Sequence, residues 1–278
     1  MHNPVATYRI QFHKDFTFAD LESIIPYLQK IGVSTIYASP IFEAVPGSVH
    51  GYDGVNPHRI NPEIGTIEQL HDISKRLKAD GINWLQDIVP NHMAFHQNNS
   101  WLMDVLEKGP MSVYASFFDT ALTGSFYHGR IMVPFLGSPL DEVIKNGELK
   151  VDYDQQRLVL KYYENAYPLN PRSYAPVLKS GEGAENQSVH QLLNQMEEIK
   201  HLNEPKVYSE RWQEFRLQLA SLMKNEEVGS YFQTCLERVN RDPKLLETII
   251  KGQEYRLCHW QETDKQINFR RFFTVNSL

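Results

Sequence analysis

Over the first ninety residues, three short apolar runs alternate with two amphipathic stripes, and few folds accept that alternation. Val5 to Phe12, Val33 to Ala38 and Ile82 to Val89 read as strands. Between the first two, Thr17-Phe18-Ala19-Asp20 opens a helix in capping-box style, with Leu21, Ile24, Ile25 and Leu28 on one face and Gly32 as the stop. Between the last two, Thr66-Ile67-Glu68-Gln69 caps a helix carrying Leu70, Ile73 and Leu77, and Gly81 precedes the third strand. A helix packed on the sheet carries the chain back to the end where the preceding strand began, so strand-helix-strand crossovers predict parallel strands and an α/β fold.

Two connections exceed the usual length. Residues 40 to 64 are rich in Pro, Gly, His and Tyr, and a connection this long inside a compact domain is commonly functional. The stretch from Asn91 to about Lys179 has no helix at barrel-like spacing and carries turn signals at Lys108-Gly109-Pro110, Leu136-Gly137-Ser138-Pro139 and Asn146-Gly147, as a small inserted domain would. Thirteen of the 15 prolines lie in residues 1–180, so the chain beyond the Lys179 to Gly183 joint reads as mostly helix. Its stripes include Leu192, Met196 and Ile199, then Trp212, Phe215 and Leu219, with Gln253 to Trp260 in the last helix. The expected parts are 1–90, the βαβαβ segment; 91–180, the insertion; 181–262, the helical segment; and 263–278, a return to the first part.

Composition narrows the function classes. A net charge of −6 opposes phosphate-driven nucleic-acid binding. No run approaches the ~20 apolar residues of a membrane span, and the start lacks a signal-peptide pattern, so no membrane partner is expected and the chain reads as cytoplasmic. Cys235 and Cys258 form no C-x-x-C pair and read as idle or buried thiols.

The chemistry concentrates at two strand ends. Gln86-Asp87-Ile88-Val89-Pro90-Asn91-His92 runs an apolar strand into a carboxylate, a proline stop, an amide and an imidazole. The connection after the second strand carries His50-Gly51-Tyr52-Asp53. In parallel α/β proteins, polar groups at the C-terminal strand ends face the ligand site.

These residues resemble the α-amylase family of retaining α-glucan enzymes, in which an Asp-x-x-x-Asn-His strand end follows a Tyr-Asp element. Thr7-Tyr8-Arg9-Ile10-Gln11, Tyr37-Ala38-Ser39-Pro40-Ile41, Pro46 to Asp53, Val133 to Gly137 and Asn268 to Asn276 resemble its trehalose-forming members. The resemblance implies the N-terminal part of a (β/α)8 TIM barrel, about three strand-helix units, with an inserted small domain after the third strand and a helical segment. It implies an enzyme that moves the reducing-end α-1,4 linkage of a maltooligosaccharide, or other α-1,4-glucan, to α,α-1,1 by retaining transglycosylation, without a cofactor. Asn91 and His92 would then contact the reacting sugar, Tyr52 would stack beneath it, His50 and Asp53 would bond its hydroxyls, and Asp87 would orient the base of the site. Arg9 and Gln11 are further candidates, although Arg9 could instead form a structural bond with Asp87. Asn91 is a calcium ligand in some amylases, but one carboxylate nearby makes no hard-cation cage, so no metal is expected. Arg270 and Arg271 beside Phe272 and Phe273 read as packing and surface charge.

The family's nucleophile is an Asp two residues after an Arg, and no Arg here has an Asp at that spacing. The chain alone is therefore expected to be catalytically incomplete, with the remainder of a longer enzyme chain as partner. An open sheet edge is expected to self-associate or to be covered by the helical segment. A fragment of an α-amylase-like hydrolase and a non-catalytic α-glucan-binding protein are the alternatives.

Overall fold

The structure, a computed structural model, describes residues 4–118, 129–154, 156–181 and 187–263 in full, and residues 264, 270–272 and 275–277 by backbone alone. The chain is α/β with parallel and antiparallel sheets. It divides into two compact units, residues 1–100 with 271–278, and residues 101–270. From residue 101 on, the stretch read as an insertion lies in the same unit as the stretch read as a helical segment, while residues 91–100 belong to the first unit.

In the first unit, β1 (Thr7–Ile10), β2 (Thr35–Ala38) and β5 (Asn83–Gln86) form a parallel sheet in the order β1-β2-β5. The register sets Arg9 beside Tyr37 and Tyr37 beside Leu85. Helices α1 (Phe18–Lys30) and α2 (Ile67–Ala79) start where the caps predict. Thr17 donates its backbone N–H to the Asp20 carboxylate at 2.7 Å, and Thr66 and Gln69 exchange side-chain to backbone bonds at 2.9 and 3.3 Å. Pro26 lies inside α1 and has no N–H to offer the Glu22 carbonyl. Arg76 of α2 donates to that carbonyl at 3.2 Å, so the orphaned acceptor becomes a latch between the helices.

One sheet face meets both helices. Phe12, Phe18, Leu21, Ile25, Leu28, Ile36, Ile73, Leu77 and Ile82 form its core, each buried large apolar side chain contributing about 1.5–3 kcal/mol. The opposite face carries Arg9, Tyr37 and Leu85, and Leu85 is 52% exposed. Residues 40 to 64, read as an unusually long connection, contain the antiparallel hairpin of β3 (Phe42–Ala44) and β4 (Gly54–Ile60).

The second unit begins with α3 (Ser100–Lys108), followed by β6 (Ile131–Leu136) and α4 (Leu140–Lys145). An antiparallel meander of β7 (Leu149–Asp154), β8 (Arg157–Tyr162) and β9 (Asn165–Pro168) comes next. Five helices complete its helical part: α5 (Tyr174–Leu178), α6 (Gln187–Lys200), α7 (Pro205–Leu222), α8 (Glu226–Arg241) and α9 (Pro243–Lys251). Glu204, Asn225 and Asp242 each accept two backbone N–H groups as N-caps, and Pro205 and Pro243 take the first-turn positions where no N–H is needed.

The reading of Gln253 to Trp260 as helix is overturned. Tyr255–His259 is a strand, β10, paired parallel to β6 with Tyr255 beside Ile131 and Leu257 beside Val133. Tyr255, Leu257 and Cys258 are buried there. A partner so distant in sequence supplies the ladder, and local periodicity carries no trace of it. Both cysteines are buried and unpaired, and burial pushes the Cys258 thiol up to about 12. Short strands β11 (Arg270–Phe272) and β12 (Val275–Ser277) pair with each other. The side chains of the Asn268 to Asn276 segment, including Arg270 and Arg271, lie outside the described residues. Among the described residues, no helix is long and apolar enough to cross a membrane.

Candidate functional site

The polar groups of the first unit gather at the C-terminal ends of its parallel strands. β5 continues by one bonded residue, since the Asp87 N–H donates to the Ala38 carbonyl at 2.9 Å. Asp87 stands two residues beyond Leu85 and so shares the sheet face of Arg9 and Tyr37. Its Oδ2 accepts the Tyr52 hydroxyl at 2.5 Å and the Tyr37 hydroxyl at 2.9 Å. Arg9 donates to Gln11 Oε1 at 2.9 Å and to the Tyr52 hydroxyl at 3.3 Å, and its guanidinium lies 5.8 Å from the Tyr37 ring centroid. Arg9 thus meets Tyr52, and the tyrosine hydroxyl stands between it and Asp87.

The His50 to Asp53 segment depends on its glycine. Gly51 has φ +74°, and a Cβ there would stand 2.6 Å from the Pro40 carbonyl oxygen. No other residue fits without moving the backbone. The turn is tied by the Gly51 N–H to Ser48 Oγ at 3.1 Å and by the Ser48 hydroxyl to Asp53 Oδ1 at 2.5 Å. His50 Nδ1 accepts the Tyr52 N–H at 3.1 Å, which puts the neutral ring's proton on Nε2. The 3.7 Å approach of His50 Nδ1 to Asp53 becomes an ion pair only on protonation. Gln11 anchors the segment to β1 by donating to the Val49 carbonyl at 2.8 Å.

From the third strand end, His92 Nε2 lies 3.1 Å from the Tyr52 carbonyl and His92 Nδ1 lies 2.9 Å from Asn91 Oδ1. Seven of the eight sequence-selected residues, Arg9, Gln11, His50, Tyr52, Asp87, Asn91 and His92, therefore belong to one bonded network, and Asp53 adjoins it through Ser48 and the turn at Gly51. The sequence reading missed Tyr37, Ser48 and His96. Tyr37 becomes visible only when β1 and β2 are set in register, because Arg9 then lies beside it. Ser48 is a local turn residue whose importance lies in its bond to Asp53.

The bond to Asp87 is the main reason both Tyr37 and Tyr52 hold their protons above the usual tyrosine range. They remain neutral donors to the carboxylate. Burial pulls the His96 imidazole below its usual value, and the nearby Asp53 charge opposes that pull. The site offers a guanidinium, two phenols, carboxylates, amides and imidazoles within one cluster. That set can bond the hydroxyls of a polyhydroxylated ligand while an aromatic ring takes its apolar face. Among the described residues, no three His, Cys, Asp or Glu side chains converge as a metal site.

Residues 17–134 match the alpha-amylase catalytic domain, a stretch that holds the site residues other than Arg9 and Gln11. A Mycobacterium tuberculosis (strain H37Rv) protein named as a maltooligosyl trehalose synthase is 40% identical over 161 residues, covering 55% of this chain and 20% of its own length. The maltogenic alpha-amylase of Bacillus acidopullulyticus is 36% identical over 107 residues, covering 37% of this chain and 18% of its own. A crystal structure of maltooligosyl trehalose synthase superposes with a TM-score of 0.66 at 28% identity over 99% of this chain and 28% of the other. The Arthrobacter ramosus maltooligosyltrehalose synthase gives 0.65 at 29% identity, over 98% and 26%. The chain is similar to maltooligosyl trehalose synthase and spans about a fifth of its curated relative's length.

Proposed function

We propose that this chain supplies the sugar-holding side of an enzyme that converts the reducing-end α-1,4 linkage of a maltooligosaccharide to an α,α-1,1 linkage. The observation that carries the reading is the Tyr37, Tyr52 and Arg9 cluster around Asp87 at the ends of three adjacent parallel strands. On this reading β1, β2 and β5 are the first three strands of a (β/α)8 barrel, and their exposed face is the barrel's inner wall. Tyr52 stacks beneath a glucosyl ring, and His50, Asp53, Asn91 and His92 bond its hydroxyls. Asp87, held by two phenols, sets the Tyr52 ring at a fixed angle.

Retaining transfer needs a nucleophilic carboxylate and an acid carboxyl ~5–5.5 Å apart across the scissile bond. The cluster holds Asp87 with two neutral donors, an arrangement that positions a sugar and supplies no acid and nucleophile pair. The chain alone therefore binds glucan without turning it over, and the covalent step belongs to carboxylates on the remainder of the enzyme.

Calorimetry with maltoheptaose tests the binding half. The wild-type chain should release or absorb heat saturably, and Tyr52→Ala should weaken affinity about tenfold, a loss of about 1.4 kcal/mol. No heat at millimolar ligand overturns the reading. Product analysis tests the chemistry half: the chain joined to its missing carboxylates should remove reducing ends from maltoheptaose, whereas a hydrolase would create them.

A further inference from the structure

We propose that the tip of the β8–β9 hairpin is a second carbohydrate platform, at which the Tyr163 ring stacks against a neutral α-glucan chain. The inference rests on the reading of α-glucan as the substrate class and concerns a place in the second unit, on different elements from the strand-end cluster.

Only Tyr163 and Glu164 join β8 to β9. Two-residue hairpins favour Gly, Asn or Asp wherever φ is positive, because a bulky side chain there crowds the backbone. Tyr163 nevertheless has φ +51°. Core packing does not account for the choice, since the residue is 66% exposed. Local stability and solubility both argue against an aromatic ring at this position, and residues kept in such conformations concentrate at ligand sites.

The ring is also held in place. Its edge meets the buried Tyr162 ring at a centroid distance of 4.7 Å and an interplanar angle of 78°. Its hydroxyl donates to Glu148 Oε2 at 3.3 Å, and Glu148 Oε1 in turn accepts from the Asn146 amide at 2.8 Å. Pinned at one edge and at the hydroxyl, the exposed ring is a preorganised flat surface and loses little freedom when a ligand lands on it.

Tyr163 borders a groove of about 460 Å³, within the size range of small-ligand sites. Glu148, Asp152 and Glu237 line it with Lys150 and Lys161, and Asp152 and Lys161 pair at 3.6 Å. Charges of both signs in near balance give little attraction for a phosphate or a basic peptide. They do offer acceptors and donors to the equatorial hydroxyls of a sugar whose C–H face lies on the ring. A neutral polyhydroxylated chain fits both features.

The test compares the full chain with Tyr163→Asn, Tyr163→Phe and Tyr52→Ala by electrophoresis through glycogen-containing gels and by thermal unfolding. Tyr163→Asn should melt at or above the wild-type midpoint, because Asn tolerates the left-handed conformation, yet its apparent affinity for glycogen should fall about tenfold. Tyr163→Phe should stay close to wild type in retardation. If Tyr163→Asn is retarded like wild type while Tyr52→Ala is not, the platform is overturned and the strand-end site stands. If wild type is not retarded at all, both the platform and the α-glucan reading fail.

Discussion

Asp87 and Glu107 are both carboxylates bonded to aromatic side chains, one in each unit, and their surroundings could hardly differ more. Asp87 is half-buried at strand ends and is held by two neutral phenols. Glu107 is 1% exposed, accepts the Trp212 indole N–H at 3.1 Å, and has Arg157 at 3.7 Å and Arg216 at 3.9 Å. A charge taken fully from water needs opposite charge to remain ionised, whereas at the solvent edge hydrogen bonds suffice. The first arrangement holds side chains at a place a ligand can reach. The second fixes α3 to α7 and the meander, with Tyr174 edge-on to the Trp212 and Phe215 stack.

The largest expected effect tests the buried carboxylate. Glu107→Gln leaves two guanidinium groups facing a neutral amide and should cost about 3–5 kcal/mol in urea unfolding. A loss below about 1 kcal/mol would mean that the cluster is wet and the contrast with Asp87 false. Next is Gly51→Ala, which places a Cβ against the Pro40 carbonyl at a left-handed φ. It should cost about 1–3 kcal/mol and abolish the calorimetric response to maltoheptaose by displacing Tyr52.

Asp87→Asn should be milder for stability and diagnostic in ultraviolet titration. Tyr37 and Tyr52 ionise above the usual tyrosine value of 10.0 because of Asp87, so the variant should bring their titration down. With the folded values raised, this cluster's contribution to stability is complete below the unfolded tyrosine value and is lost as pH rises through the folded ones. Two unmoved titrations would show that the phenols are held by something other than the carboxylate.

The smallest effect extends the comparison to a fully exposed carboxylate. Asp20 is held below its usual 3.8 chiefly by the Thr17 backbone N–H, and then by the Thr17 hydroxyl. Its cap therefore stabilises α1 above that pH and is lost as pH falls through the lower folded value. The difference in melting temperature between wild type and Asp20→Asn should be small at neutral pH and should vanish in acid. A difference that persists in acid would assign the effect to helix propensity.

Sequence reading succeeded where the cause was local. Thr17, Thr66 and the apolar stripes after them fixed α1 and α2, and short apolar runs fixed β1, β2 and β5. The candidate residues were legible because they cluster in three short segments, 9–11, 50–53 and 87–92, whereas the need for glycine at 51 became visible only with the Pro40 carbonyl beside it. The features that escaped depend on partners far along the chain. Tyr37 joins Asp87 only through strand register, β10 exists only because β6 lies beside it, and the β3–β4 hairpin has bulged pairing that breaks the alternation of a regular strand.

The pairing of Ile131 with Tyr255 also sets an order of events. A ribosome delivers β6 long before β10, so the second unit cannot close its parallel ladder until α4 to α9 and the meander have been made. Such a nonlocal closure is slow, because chain entropy is lost before the ladder repays it. Until then β6, with Ile131, Met132 and Val133 all destined for burial, is an apolar strand with a free edge. Chain yield in a cell should respond to translation speed and chaperone supply at this strand, even where the finished protein's melting temperature does not change.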